Sequence, residues 1–387
     1  MKRYFSIFGV NLIILVICMI PLELYFGGWL KAPGMWDFAA YRDLHWQLSV
    51  EDFYKRGNRS DYRRDYFGLR GQYKDIKDID ILTVGGSTTD ERFVSEGETW
   101  SDILGKCLRS RGYDADVANA GITGQSSVGH ILNFHNWFNY ISNLSPKYII
   151  AFVGINERGV GGEWQKKYQD IRTYTEAAGK HDKWKTIRKW FRRNSAIYNF
   201  FKTIEGNLTA WRLGYMIEPE FKVYGDLNKK GKKIPGTEIV EKNFMRERSR
   251  SIKLDSPEYY KKLKLLENKI SRRLRDYQER LDALTMEIRK FGATPVYATN
   301  IRADYRIKGD TIFGNLYQYF ELEPYHQITR SHCKKNGLLC VDVSRKMNVN
   351  PGDFFDIMHT APPGSRKIGQ TICDKILDED SIILEKK

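Results

Sequence analysis

Short apolar runs rich in β-branched and aromatic residues alternate with amphipathic stretches along much of the chain, and this alternation limits the possible folds more than any other feature. The run at residues 147–154, "KYIIAFVG", is almost continuously apolar, which is typical of a parallel strand covered on both faces. The alternation predicts a three-layer α/β/α sandwich around a five-stranded parallel sheet. The predicted strands lie at residues 80–84, 115–120, 147–154, 294–300 and 337–343. The predicted helices cover residues 99–108, 128–144, 256–291, 317–335 and 363–377.

The first 30 residues predict a membrane anchor. Lys2 and Arg3 precede an uncharged run from Phe5 to Pro21, about 17 residues, which suits a spanning helix once flanking apolar residues are included. A cleaved signal peptide and a buried soluble helix are the alternatives. The two basic residues favour a cytoplasmic N-terminus and place the rest of the chain outside the cytoplasm, whether periplasmic, extracellular or lumenal. We therefore expect a single-pass membrane protein with a signal anchor at residues 1–30.

Composition divides the rest of the chain into three parts. Residues 31–78 are polar and aromatic with little periodicity, and they are predicted to be a membrane-proximal connector. Residues 79–158 and 256–380 carry the alternation of strands and helices and form the predicted α/β domain. Residues 159–255 interrupt that domain and are predicted to be a largely helical, basic insertion that serves as a cap or lid.

The charge of the chain is concentrated in this insertion. The chain has 63 Lys and Arg against 48 Asp and Glu, a formal charge of +15, and about +11 of that surplus falls between residues 158 and 255. No nucleic-acid-binding motif accompanies the charge, so nucleic acid is not an expected partner. An anionic membrane surface or an anionic polymer suits such a region better.

Residues 183–204 of the insertion place aromatic and aliphatic side chains at near-helical spacing among Lys and Arg. We interpret this stretch first as a lid helix that packs its apolar face on the core of the domain. Two alternatives remain open. The helix lies on anionic lipid, or its basic face receives an anionic glycan or phospholipid headgroup.

Chemically versatile residues follow several of the predicted strands. The segments are "GGSTTD" after the first strand, "NAGITGQSS" after the second, "VGINERG" after the third and "DIMHTAPPGSRKIG" between the fifth strand and the last helix. Because the carboxyl ends of parallel strands meet at one edge of a sheet, we expect these segments to lie together.

The converging segments contain the parts of a nucleophilic catalyst. Ser87 would be the nucleophile, His359 the base, and Asp356, three residues before it, the group that orients the imidazole. The backbone N–H groups of Ser87 and Gly124 and the side-chain amide of Asn156 would form the oxyanion hole. Simpler interpretations of the same residues are a helix-capping hydroxyl at Ser87, a turn residue at Asn156 and a helix-entry histidine at His359.

At these four blocks the chain resembles the SGNH/GDSL hydrolase superfamily, whose motifs supply Ser, Gly, Asn and His in this order. The resemblance covers about residues 80–158 and 293–377, and it implies that Ser87, Asp356 and His359 are catalytic. Two positions depart from the usual motifs. Gly86 stands where Asp usually precedes the serine, and Glu157 follows Asn156 where Asp is usual. Neither is a triad member, so the departures bear on subfamily and substrate rather than on activity.

Five cysteines occur, and Cys18 lies in the predicted anchor. In a sheet of order 2-1-3-4-5 the first and last helices lie side by side, so Cys107 and Cys373 are expected to pair. Cys333 and Cys340 bracket a short helix-to-strand turn and are the second expected pair. Four free buried thiols are the alternative. The remaining histidines show no metal-ligand spacing, and neither a metal nor an organic cofactor is expected.

The resemblance and the predicted location together suggest a function. We expect hydrolysis of a carboxylic O-acyl ester, of a cell-surface glycan first, through an acyl-Ser87 intermediate. O-acyl transfer to a surface polysaccharide or a lysophospholipase-like lipid esterase activity are the enzymatic alternatives. The non-enzymatic ones are a catalytically silent SGNH-like domain that binds glycan and a membrane-surface scaffold.

Overall fold

The computed structural model describes residues 2–30, 42–55, 59–160, 191, 194–212 and 234–378. The chain divides into two units, one of residues 1–36 with 170–219 and the other of residues 37–169 with 220–387. All of the sheets and the candidate site belong to the second unit. The boundaries expected at residues 78, 158 and 255 stay predictions.

The first and fifth of the helices given below belong to the first unit, and all the other elements belong to the second. The helices are α1 Lys2–Phe26, α2 Ser87–Asp90, α3 Trp100–Ser110, α4 Ser127–Asn136, α5 Ala196–Arg212, α6 Gly236–Glu247, α7 Pro257–Lys290, α8 Leu316–Asn336, α9 Val343–Lys346 and α10 Pro362–Asp378. The strands are β1 Leu44–Ser49, β2 Arg59–Arg64, β3 Ile79–Gly85, β4 Asp116–Asn119, β5 Tyr148–Val153, β6 Ser251–Lys253, β7 Thr294–Thr299, β8 Tyr305–Lys308, β9 Thr311–Gly314 and β10 Cys340–Val341.

The central sheet is parallel and has the order β10-β7-β5-β3-β4. This is the predicted five-stranded sheet, and its order is the 2-1-3-4-5 expected from the sequence. Every residue of β5 is buried, as the apolar run predicted. Alternate side chains of β5, those of Tyr148, Ile150 and Phe152, pack in one core with apolar residues of α3 and α10. Helices therefore cover the sheet because both of its faces are apolar.

Several elements differ from the prediction. Helix α4 ends at Asn136 instead of continuing to residue 144, and a short 3₁₀ turn over Phe138–Tyr140 follows it. The fifth strand of the central sheet has two residues, where seven were expected. A second, antiparallel sheet of order β6-β9-β8 was not predicted. Its strands have three or four residues each, too short for a clear alternation of apolar and polar side chains.

The connector expected to have little order contains an antiparallel hairpin of β1 and β2, in which Leu44 pairs with Arg64 and Ser49 with Arg59. The buried side chains of β2 are those of Ser60, Tyr62 and Arg64. Polar residues thus occupy the inward positions of this strand. Hydrophobic alternation therefore could not reveal it.

Among the residues that the structure describes, no helix combines the length and the apolar character that crossing a bilayer requires. The predictions of a transmembrane helix at residues 1–30 and of a single-pass membrane location are therefore wrong. Helix α1 contains Pro21 and Glu23. The Glu23 carboxylate accepts hydrogen bonds from the Ser195 hydroxyl and from the Ala196 N–H at the start of α5. The uncharged run thus belongs to a helix whose end makes polar contacts within its own unit.

The basic insertion is described only in part. Helices α5 and α6 lie in it. Of the helix expected at residues 183–204, the part over residues 196–204 belongs to α5, whereas residues 183–190, 192 and 193 lie outside the described residues. Its three interpretations stay predictions.

Two disulfides are present among the described residues. Cys107 of α3 is bonded to Cys373 of α10, with Cα atoms 6.3 Å apart. Cys333 is bonded to Cys340 across the turn between α8 and β10, with Cα atoms 5.9 Å apart. These are the two pairs expected from the sheet order and from the short turn. The first joins two helices on the same face of the sheet.

Candidate active site

Ser87 lies in the sharp turn that follows β3, at the first position of the four-residue helix α2. Gly86, directly before it, is in close contact with the next strand-end segments. A Cβ at position 86 would overlap Nδ2 of Asn156 and would lie 3.0 Å from the carbonyl oxygen of Gln125. Only glycine therefore lets the Asn156 amide lie directly against the turn. This close approach is the structural feature found at the first departure from the usual motif.

The segment before α10 brings His359 to Ser87. His359 Nε2 lies 2.7 Å from the Ser87 Oγ, and His359 Nδ1 lies 2.6 Å from Oδ2 of Asp356. An ionised carboxylate only accepts hydrogen bonds, so Nδ1 carries the proton and Nε2 is free to accept from the serine hydroxyl. The ring of Phe355 stacks on the imidazole with an interplanar angle of 12° and centroids 5.8 Å apart. The three side chains therefore have the connectivity of a nucleophile, a base and an orienting acid.

Asp356 is held in its ionised form. Its Oδ1 accepts hydrogen bonds from the backbone N–H groups of Met358 and His359, at 2.8 and 2.7 Å. Burial by itself raises the pKa of Asp356, but the His359 ring and these N–H groups outweigh it and hold the pKa below its ordinary value. The carboxylate is thus charged at neutral pH and is oriented by three nitrogen atoms of its own turn.

Two of the predicted oxyanion donors lie on segments that meet Ser87. The Asn156 amide donates to the carbonyl of Gln125 at 2.8 Å and lies against Gly86. Gly124 is exposed and has a φ of +81°, a conformation that favours glycine. Its neighbour Thr123 lines the same cavity as Ser87 and His359. The three donors of the expected oxyanion hole thus lie on three neighbouring segments, and their role as donors stays a prediction.

Glu157, the second departure from the usual motif, is a buried structural anchor. Its carboxylate accepts hydrogen bonds from the backbone N–H and hydroxyl of Ser127, both at 2.8 Å, and pairs with Arg280 of α7 at 2.9 Å. Arg280 Nε donates to the same Ser127 hydroxyl at 2.7 Å. Helix α4, helix α7 and the Asn156 turn are thereby tied together, which positions the Asn156 amide.

Asp90, three residues after Ser87, joins the nucleophile turn to the hairpin. One carboxylate oxygen accepts from Tyr62 at 2.9 Å and from Arg64 at 2.6 Å, and the other accepts from Thr123 at 2.7 Å. Burial raises the pKa of Asp90, but the guanidinium groups of Arg64 and Arg70 outweigh it, so the pKa lies below its ordinary value. The hairpin thus fixes the positions of the two turns that carry Ser87 and Thr123 relative to each other.

A cavity of about 210 Å³ opens beside the triad. Its apolar lining consists of Phe53, Phe93 and Phe355. The triad and four further polar side chains complete the lining: Glu91, Arg92, Thr123 and Thr360.

Glu91 lies beside this cavity in a left-handed backbone conformation, with a φ of +44°. Its carboxyl group accepts hydrogen bonds from the hydroxyls of Thr360 and Ser365 and from the Trp100 N–H. Burial raises its pKa to about 7 although these donors oppose the shift.

Sequence reasoning missed the residues that shape this cavity and support the triad. Phe53 and Arg64 lie in the segment that was expected to be an unstructured connector. Its aromatic richness was the available signal, but aromatic residues in a polar stretch do not indicate which partner they pack against. Within the described ranges, no cluster of His, Cys, Asp or Glu could hold a metal ion.

Fold and site together define the class: a doubly wound α/β domain that carries a Ser–His–Asp triad at the carboxyl edge of its sheet. No family model and no curated protein matches the chain.

Solved structures similar to the chain include a lipolytic protein of the G-D-S-L family from Desulfitobacterium hafniense, with 11% identity and a TM-score of 0.36 over 76% of this chain and 98% of that one. An acetyl xylan esterase from Geobacillus stearothermophilus has 11% identity and a TM-score of 0.38 over 79% and 99%. The acetyl xylan esterase AlAXEase has 10% identity and a TM-score of 0.39 over 77% and 100%. The first of these belongs to the G-D-S-L family, which the four sequence blocks resemble.

Proposed function

We propose that the protein is a serine hydrolase that cleaves carboxylic esters through an acyl-Ser87 intermediate. The observation that carries the proposal is the position of His359, hydrogen-bonded to Ser87 through Nε2 and to Asp356 through Nδ1. A helix-capping serine or a surface histidine would need neither contact. The intact connectivity also speaks against a catalytically silent binding domain.

The geometry implies the sequence of bond changes. The Ser87 Oγ attacks the ester carbonyl carbon while its proton moves to Nε2 of His359, and Asp356 stabilises the imidazolium that forms. The oxyanion develops beside the N–H groups of Ser87 and Gly124 and the Asn156 amide. The bond between the carbonyl carbon and the alcohol oxygen then breaks, and that oxygen takes the proton from His359. Water then attacks the carbonyl carbon of acyl-Ser87 while His359 takes its proton. The bond between that carbon and the Ser87 Oγ breaks, the Oγ takes the proton from His359, and the acid is released.

The substrate prediction loses one of its grounds. An acylated cell-surface glycan was expected from the charge of the chain and from a membrane anchor at residues 1–30, and the anchor prediction was wrong. Ester hydrolysis needs only the triad and the oxyanion donors. Transfer of the acyl group to a second alcohol differs only in which nucleophile reaches acyl-Ser87. The glycan substrate and the acyltransferase alternative therefore stay predictions.

Labelling with a fluorophosphonate tests the proposal, because this reagent reacts only with an activated serine. We expect the full-length protein to be labelled and Ser87→Ala to be neither labelled nor active, with at least about a 10³-fold loss of p-nitrophenyl ester hydrolysis. Ser110→Ala, which alters an exposed serine of α3, is the matched control and should behave as wild type. Equal labelling of wild type and Ser87→Ala would disprove the activated nucleophile.

A further inference from the structure

Three phenylalanine rings pack against one another and form an apolar wall of the cavity beside the triad. The ring centroids of Phe53 and Phe93 are 4.6 Å apart, those of Phe53 and Phe355 are 4.5 Å apart, and those of Phe93 and Phe355 are 5.9 Å apart. Phe355 also stacks on His359. The cage therefore begins at the catalytic base and extends away from it. We call these three residues the phenylalanine cage.

The wall of the cage formed by Phe53 is held in place by hydrogen bonds of its own backbone. Its N–H donates to the Val50 carbonyl at 2.9 Å, and its carbonyl accepts from the N–H of Thr237 in α6 at 2.9 Å. The neighbouring Tyr54 hydroxyl donates to the carbonyl of Phe93. Only 8% of Phe53 is exposed. Because the backbone of Phe53 is held by these hydrogen bonds and its ring is buried, the ring limits the space beside Ser87.

The chemistry of the cage selects an apolar group. Phenyl rings offer no conventional hydrogen-bond partners, and burying a hydroxyl group without a partner is unfavourable. A sugar ring against these three rings would leave hydroxyl groups without partners on that side of the cavity, whereas an alkyl chain gains from burial at about a fourfold increase in binding for each methylene. The cage thus suits the acyl part of an ester, and the alcohol part would lie toward the solvent.

The size of the cavity limits the length of that chain. A protein cavity of about 150 Å³ is large enough for benzene, which has six carbons. The cavity of about 210 Å³ also includes the space directly over Ser87 and Thr123. It therefore has room for a chain of about four to eight carbons, and a fatty acyl chain of a membrane lipid exceeds it.

We infer that the phenylalanine cage is the acyl-binding site, that it admits short acyl chains, and that Phe53 is the residue that sets their maximum length. The inference rests on the proposed function, since it assigns the acyl side of that same ester. It identifies the substrate class as short-chain acyl esters.

The test compares the hydrolysis of p-nitrophenyl esters from acetate to dodecanoate by the full-length protein and by Phe53→Ala. In the wild type, kcat/KM should rise to a maximum between about butanoate and octanoate and then fall. In Phe53→Ala the maximum should move to longer chains, and the ratio of decanoate to butanoate hydrolysis should rise at least about tenfold, because two or more further methylenes can be buried. Phe53→Leu, which preserves an apolar wall, should give a smaller shift in the same direction.

Phe134→Ala is the matched control, since Phe134 is equally buried in α4 but does not line the cavity. It should lower stability without changing the chain-length profile. If the wild type hydrolyses dodecanoate as well as butanoate, or if Phe53→Ala and Phe53→Leu keep the wild-type profile, the inference is wrong. Each variant is also treated with fluorophosphonate. Absence of Ser87 labelling in the wild type would refute the proposed function, whereas labelling with an unchanged profile would refute only the role of Phe53.

Discussion

At the scale of single residues, the site depends on side chains whose protonation is set by their immediate neighbours. Asp356 and Glu91 are both carboxylic acids beside one cavity, yet their pKa values move in opposite directions. Asp356 receives hydrogen bonds from His359 and from backbone N–H groups that favour its charge. Glu91 is more deeply buried, and its hydroxyl partners do not compensate for the loss of water.

Asp356→Asn should reduce kcat by about 10³–10⁴-fold. The amide lacks the negative charge that stabilises the imidazolium. Because an amide can also donate a hydrogen bond to Nδ1, the proton of His359 can then lie on Nε2 instead. Ester hydrolysis and the rate of fluorophosphonate labelling measure the loss, and thermal unfolding shows whether the fold is intact. Asp374→Asn, which alters a partly exposed residue of α10, is the control. Activity of Asp356→Asn within threefold of the wild type would rule out Asp356 as the orienting acid.

Glu91→Gln should change how stability depends on pH. The folded-state pKa of Glu91, about 7, is above its ordinary value of 4.5, so folding takes up a proton between these values. The stabilisation is complete below about pH 4.5 and is lost as the pH rises through about 7. From pH 5 to pH 8 we expect the wild type to lose on the order of 2–3 kcal/mol relative to Glu91→Gln, as measured by urea unfolding.

The glutamine in this variant resembles the protonated carboxyl group and can keep hydrogen bonds to Thr360 and Ser365. Glu258→Gln, at an exposed glutamate of α7, should reproduce the wild-type dependence. Parallel stability profiles of the wild type and Glu91→Gln would show that Glu91 stays ionised in the folded protein.

At the scale of elements, the β1–β2 hairpin is part of the catalytic domain. Its strand β2 places Arg64 against Asp90 with both side chains fully buried, and Arg64 also donates to the carbonyl of Gly121. Arg70, directly after the hairpin, donates to the Asp90 carbonyl. The segment therefore neutralises a buried charge that lies one turn from the nucleophile. It also supplies Phe53, through the loop between the two strands.

Arg64→Met should destabilise the protein by about 3–5 kcal/mol, because it leaves the buried Asp90 carboxylate short of its main partner. Asp90→Asn should also lower the free energy of unfolding. The double variant should lose less of this free energy than the two single variants lose together, since it contains no unpaired buried charge. Unfolding in urea gives the three free energies. Arg63→Met, at the exposed neighbouring position, is the control. Additive losses would show that the pair does not interact.

At the scale of the whole molecule, the parallel sheet was predictable because its strands are buried on both faces and its helices are amphipathic. Two local patterns could be recognised without knowledge of the folded contacts. They are the apolar runs at β3, β5 and β7 and the periodic apolar positions of α7. Parallel strands bring their carboxyl ends to one edge. For this reason the grouping of Ser87, Asn156, Asp356 and His359 followed from the order of the elements.

The wrong expectations share one physical cause, since they concern segments whose structure depends on distant partners. The uncharged run before Pro21 suggested a bilayer, but its composition does not reveal that Glu23 bonds to the start of α5. The hairpin was missed because Arg64 occupies an inward position, where its charge is paired with Asp90, 26 residues away along the chain. Local patterns cannot report contacts of this kind.

Local periodicity was enough to predict the α/β class, and the meeting of parallel strand ends was enough to name the Ser–His–Asp candidates, while the order of the strands was implied by the resemblance to a known superfamily. The packing of the folded chain was needed to find that Gly86 lies against Asn156, that Glu157 anchors that turn through Arg280, and that Phe53 lines the cavity beside Ser87. These features are contacts between segments far apart in the chain. They exist only when the sheet has brought the segments together.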